Sequence, residues 1–157
     1  MRALALVFAI ASFVGSAPLA AASERAPQSP IENCLSQAAD DEAAQNACVG
    51  RFASDCIEMS PNGDATAGMI ACIEAERFQW ENVRGAAAIS LRAKETPTQI
   101  ALLNASLAEH RRWAEARCSY EASVYEGGSL SLVVAAQCRR DAVAEHALYL
   151  RNRYSED

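Results

Sequence analysis

Residues 118–138 read CSYEASVYEGGSLSLVVAAQC. Two cysteines enclose a turn signal, Glu126-Gly127-Gly128-Ser129, and both stand ten residues from Gly128. In an antiparallel helical hairpin, residues equidistant from the reversal face one another. Ten residues of helix rise ~15 Å on each arm, so the partners arrive level. The spacing predicts a Cys118–Cys138 bridge between two helices, with Ser129 as the cap of the second. The flanking composition agrees. Ala, Glu, Arg, Leu and Gln dominate, and these favour helix. The nearest approach to a strand is Leu130-Ser131-Leu132-Val133-Val134.

The same arithmetic places the other cysteines. Cys56 and Cys72 share a midpoint at Asp64, inside Ser60-Pro61-Asn62-Gly63-Asp64, a strong turn signal. Cys34 and Cys48 share a midpoint at Asp41, in the acidic break Asp40-Asp41. The rival pair Cys48–Cys56 centres on Phe52, within the apolar stripe Ala44, Cys48, Phe52, where a helix leaves no room for a turn. Six cysteines allow fifteen connectivities. The turns select 34–48, 56–72 and 118–138. Each closes a short loop and stabilises by about 3 kcal/mol in the chain-entropy model.

Helical periodicity fills the segments between. A first helix runs from Ile31 to about Ala39, with Pro30 at its start. A second follows the acidic break, where Asp40 or Asp41 caps it, and continues through Phe52. A third starts with Thr66 as its cap and carries Met69, Ile73, Glu76, Trp80, Val83, Ala87 and Leu91 at four- and three-residue spacing. Pro97 ends it and begins a fourth, with Leu103, Leu107, His110, Ala114 and Cys118 on one face. The last places Val134, Cys138, Ala142, Glu145 and Tyr149 on one side. The fold class expected is all-α: disulfide-stapled antiparallel helical hairpins forming a small bundle.

The N-terminus reads as an address. Arg2 precedes Ala3 to Val14, apolar except for Ser12, and Ala17 to Ala22 offers the small residues a signal peptidase cleaves after. Residues 1–22 are therefore expected to be a signal peptide and residues 23–157 a single domain. Losing those 22 residues, Arg2 among them, leaves 135 residues at a net charge of −7, against −6 for the whole chain. No cysteine follows the cleavage region closely, which argues against a lipid anchor. An exported chain meets an oxidising compartment, where cystines are the default. The acidic balance opposes nucleic-acid binding, which needs a basic surface. Beyond the N-terminus no apolar run is long enough to span a bilayer.

Few constellations promise chemistry. His110 and His146 are the only histidines, and no C-x-x-C spacing accompanies them, so neither a metal site nor a cofactor is expected. No G-x-S-x-G nucleophile elbow occurs. Glu76 and Glu121 lie on or beside apolar stripes. Ion pairing with Arg77 and Arg117 accounts for them better than a paired-acid site does. Asn104-Ala105-Ser106 matches a glycosylation sequon. No catalytic residue is assigned, and the chain reads as a non-enzyme.

The hairpins also resemble a known family. Cys118-Ser119-Tyr120-Glu121-Ala122-Ser123, Gly127-Gly128-Ser129, Cys138 and Glu145-His146-Ala147-Leu148-Tyr149-Leu150 are similar to the LprI-type lysozyme-inhibitor N-terminal domain family. Upstream, Cys56-Ile57-Glu58-Met59-Ser60-Pro61-Asn62-Gly63, Thr66-Ala67-Gly68-Met69, Cys72, Glu76 and Trp80 resemble it too. The likeness spans roughly Cys34 to Leu150. The chain departs from the family's pattern at His110, where a Trp is common, and at Ala114-Glu115, where an Arg-Asp pair stands. It departs again at Val143 and at His146, where Thr and Arg are frequent. The resemblance implies an all-helical exported bacterial protein, periplasmic or secreted, that inhibits a cationic lysozyme.

The reading that follows is steric inhibition. A net negative surface attracts a cationic partner. Rigid turns at Glu126, Gly127, Gly128 and Ser129 and at Pro61, Asn62, Gly63 and Asp64 would cover the enzyme's cleft, with Trp113 and Tyr125 as nearby anchors. The alternative is a non-enzymatic envelope scaffolding or protein-binding module.

Overall fold

The computed structural model describes residues 29–154. The signal peptide expected over residues 1–22 lies outside them. Six helices follow in order: α1 (Pro30–Ala38), α2 (Glu42–Asn46), α3 (Arg51–Met59), α4 (Thr66–Arg92), α5 (Pro97–Ser123) and α6 (Leu130–Arg151). There is no strand among the described residues. The protein is an all-α bundle.

Local chemistry explains most boundaries. Ser29 and Glu32 form a reciprocal capping box with Pro30 in the first turn of α1. Thr96, Pro97 and Gln99 repeat the device at the start of α5. Asp41 caps α2 through the Ala44 amide. Disulfides join Cys34 to Cys48, Cys56 to Cys72 and Cys118 to Cys138, the pairs that the turn midpoints predict.

The long helices define the architecture. Met69, Ile70 and Ile73 of α4 pack with Val133 and Ala136 of α6, and Leu91 with Leu150. The two helices therefore run parallel. α5 lies antiparallel to α6, across the hairpin closed by Cys118–Cys138. α3 folds back on α4, and α1 closes the side where fully buried Trp80 packs with Ile31, Leu35 and Val143.

Four expectations need correction. The helix expected from the acidic break through Phe52 is two helices, because Gly50 turns left-handed at φ 86° and interrupts it. Thr66 does not cap α4. It is the first helical residue, and Ala65 holds the cap position. Ser129 occupies the cap position of α6 but makes no capping hydrogen bond. In α6, Glu145 and Tyr149 are exposed. The helix is wedged between α4 and α5, so its buried surface is a broad arc and not one stripe.

Glu76 gives the fifth correction, since it does not pair with Arg77. Arg77 holds Glu74 and Glu81 instead. The Glu76 carboxylate is fully buried and points at the start of α3. Oε1 accepts from the Gly50 amide at 2.6 Å and from Trp80 Nε1 at 3.0 Å, while Oε2 accepts from the Ala53 amide at 2.7 Å. Arg140 Nε stands 3.9 Å away. Gly50 has no side chain with which to cap α3, so a residue of α4 caps it. Glu76→Gln presents an amide NH2 to donors that need an acceptor. The expected loss is about 3 kcal/mol of stability or more, read as a lower urea midpoint with an unchanged slope.

Candidate functional site

The turns before α4 and α6 lie at one end of the bundle, because those helices are parallel. Pro61, Asn62 and Asp64 are exposed in the first turn, and Glu126, Gly127, Gly128 and Ser129 in the second. Gly63 is buried instead, and a Cβ there would stand 2.1 Å from the Ile57 carbonyl oxygen. Its role is to let the turn close under α3. Gly127, at φ 82°, uses the left-handed region that favours glycine. Backbone bonds from the Gly63 amide to the Ser60 carbonyl and from the Gly128 amide to the Tyr125 carbonyl tighten the two loops. A disulfide pins each hairpin behind its tip.

Around these tips the surface is apolar and acidic at once. Met59, Tyr120, Val124, Tyr125, Leu130 and Leu132 are all exposed. Only Tyr125 is expected from the sequence as a contact residue, because the others occupy positions off the helical stripes. Glu58, Asp64, Glu121 and Glu126 lie on the same hairpins, with no Lys or Arg between Arg51 and Arg77 or between Arg117 and Arg139, while Asp55 lines a groove with Arg51 and α1. Glu121 is held by Arg117 at 2.8 Å, the ion pair that its spacing predicts. The acidic break at Asp40 and Asp41 is elsewhere. Gln45 accepts from Asn152 at 2.7 Å, which ties α2 to the C-terminal end of α6. Trp113 is also away from the tips, five residues before Cys118, where it packs near His110 and under the Arg117 guanidinium.

A second cluster joins the middle of α5 to the C-terminal third of α6. His110 and His146 stack with ring centroids 3.9 Å apart and planes 21° from parallel. His146 is only 6% exposed, and neither Nδ1 has a hydrogen-bond partner. Their contact was available in the sequence, since the two histidines share the midpoint Gly128 with Cys118 and Cys138. Stacked rings hold their lone pairs in nearly parallel planes and do not converge on a common ion. No group of three or more metal-ligating side chains occurs among the described residues. Burial, then the neighbouring His110 and then the Arg84 guanidinium, push His146 down to about 4. Burial and Arg84 lower His110 as well, against the pull of Glu145.

Comparison with known proteins adds one finding. A family model described as Lysozyme inhibitor LprI matches residues 56–150. The match begins at Cys56, so the Cys34–Cys48 clasp lies outside it. Neither a curated protein nor a solved structure matches.

The stacked histidines make stability depend on pH. Both are held neutral in the folded chain, whereas an unfolded histidine titrates near 6.5. The unfolded state therefore binds more protons as pH falls from 6.5 toward 4. Stability is complete above that window and declines through it. Urea unfolding at stepwise pH should show this slope, and His146→Gln should flatten it. A midpoint equal at pH 7 and pH 4.5 in the parent chain would contradict the assignment.

Proposed function

Because the chain belongs to the LprI lysozyme-inhibitor family, we propose that it docks on a cationic lysozyme through the acidic end of the bundle and blocks the substrate cleft sterically. Family membership suggests an inhibitor-like, non-enzymatic role with lysozyme as the partner. The disulfides and the family suggest an extracytoplasmic protein, and no described helix is long and apolar enough to cross a membrane. The finer reading is export by the signal peptide over residues 1–22, a single domain over residues 23–157, and residence in the periplasm or outside the cell.

One observation carries the docking reading. Two turns distant in sequence lie at one end, where exposed apolar side chains accompany Glu58, Asp64 and Glu126, which make no ion pair among the described residues, and Glu121, which Arg117 holds. Carboxylates without local cations keep their field for a partner and steer a basic protein toward them. Tyr125, Val124, Leu130 and Leu132 then supply dry contact area, which charge alone does not. The clasps behind both turns reduce the conformational entropy lost on binding. Pro61, Asn62 and Asp64 and Glu126 to Ser129 are the contact residues of this reading, and Gly63 shapes the turn from beneath.

Oxidised, exported protein titrated into a lysozyme assay on cell-wall substrate should inhibit near stoichiometry. Inhibition should weaken from low to physiological salt, because exposed charges are screened. Joint reversal of Glu58, Asp64 and Glu126 to Lys should abolish most of it, and Tyr125→Ala should weaken it by roughly tenfold. Reversal of Asp40, Asp41 and Glu42, at the opposite end, should leave it intact. Absence of both inhibition and calorimetric binding would overturn the reading. Inhibition that survives the first reversal would move the docking surface elsewhere.

A further inference from the structure

Two of the hydrophobic clusters that make up the core do not meet. Ile31, Leu35 and Val83 belong to one, Leu91 and Leu150 to the other. On the face between them α4 carries Ala86, Ala87 and Ser90, which are too small to fill the space, and α1 ends after nine residues. The gap is a groove of about 520 Å³, a size that small-molecule sites have. It follows α4 from Val83 to Lys94, which is ~16 Å of helical rise. Leu35, Val83, Ala87, Leu91 and Leu150 form its floor.

The cations of the groove stand at one end. Lys94 and Arg151 line it where α4 and α6 finish, and both are exposed. Neither makes an ion pair or a side-chain hydrogen bond among the described residues. Lys94 Nζ lies 5.5 Å from the centre of the Tyr154 ring, a contact that positions the ammonium without neutralising it. Glu32 is the one acid on the lining. It stands in the first turn of α1, toward the other end, and its carboxylate accepts from the Ser29 amide. Glu95, next to Lys94, accepts from the Tyr154 hydroxyl and lines a separate groove with Arg153. In a chain of net charge −6, an apolar groove thus ends in two unpaired cations.

We propose that this groove binds a single-chain anionic amphiphile, a fatty-acid-like carboxylate, with its acyl chain along the apolar floor and its head at Lys94 and Arg151. An acyl chain needs contact area and no hydrogen bonds, and the floor supplies the first without the second. A peptide would need partners for its N–H and C=O groups. The backbone of the floor is bonded within helices, and the Ser36 hydroxyl already donates to the Asn33 carbonyl. The head is held by charge-assisted hydrogen bonds, for which the Arg151 guanidinium has a planar pair of donors.

The groove lies at the pole opposite the two turns, so the proposal is independent of the inhibitor reading. Laurate, titrated calorimetrically at neutral pH and below its micellar concentration into the oxidised, exported chain, should bind one molecule per chain. Dodecyltrimethylammonium has a chain of equal length and a cationic head, and should bind at least tenfold more weakly. Lys94→Gln combined with Arg151→Gln should weaken laurate by roughly tenfold or more. Ala86→Phe puts a ring into the groove and leaves the charge unchanged, so it should abolish binding. All three side chains are exposed, and circular dichroism should show both variants folded as the parent is. No laurate binding, equal binding of the two amphiphiles, or binding that Ala86→Phe leaves unchanged would overturn the proposal. So would cosedimentation with phosphatidylglycerol vesicles that the double Gln variant loses and Ala86→Phe keeps, since the cations would then serve a membrane surface.

Discussion

A carboxylate removed from water is costly unless hydrogen bonds replace its hydration. Glu76 has three such bonds, two of them from the backbone of another helix. Those two amides belong to Gly50 and Ala53, the cap residue and the third residue of α3. A capping box normally satisfies the same pair with local side chains. Here the acceptor arrives from α4, and its negative charge also meets the positive end of the α3 dipole. The contact fixes where α3 begins and how it leans on α4. That placement sets Cys56 against Cys72 and the turn at residues 61–64 above them. Trp80, the largest fully buried side chain, is oriented through the same carboxylate.

From that anchor the end of the bundle is assembled by register. Arg139 of α6 approaches Glu74 of α4 at 3.6 Å, and Ile73 packs near Val133 and Ala136. These contacts hold the starts of two parallel helices level. The turn that precedes each helix is thereby carried to the same pole. The disulfides do a different job, since each lies within its own hairpin. They rigidify the two turns without bringing them together, and the apolar seam between α4 and α6 brings them together.

Long-range contacts also mark where the sequence stops being legible. The α4 stripe from Met69 to Leu91 and the cysteine midpoints depend on spacing along one helix or one hairpin, and both can be read directly. The break at Gly50 cannot be read so simply. Ala44, Cys48 and Phe52 keep helical spacing across it, and the group that restarts the helix stands 26 residues away. Glu76 and Arg77 are neighbours in sequence, but adjacent helical residues point about 100° apart, which is why they do not pair. α6 hides its pattern because two helices cover it. The histidine stack was legible in principle, by the same midpoint as Cys118 and Cys138. Read one at a time, each histidine is only a lone polar residue on an apolar face.

Acidity by itself says little, because negative charge also serves solubility. Its distribution says more. A charge pattern serving solubility intersperses both signs, as at the far pole, where Arg92, Lys94, Arg151 and Arg153 accompany Glu95, Asp40, Asp41 and Glu42. At the pole that carries the two turns Arg117 holds Glu121, while Glu58, Asp64 and Glu126 make no ion pair among the described residues, beside exposed Tyr125, Val124 and Leu132. Apolar side chains left in water are a liability unless something covers them. Placing them where like charges repel a second copy but attract a basic protein limits which partner that can be.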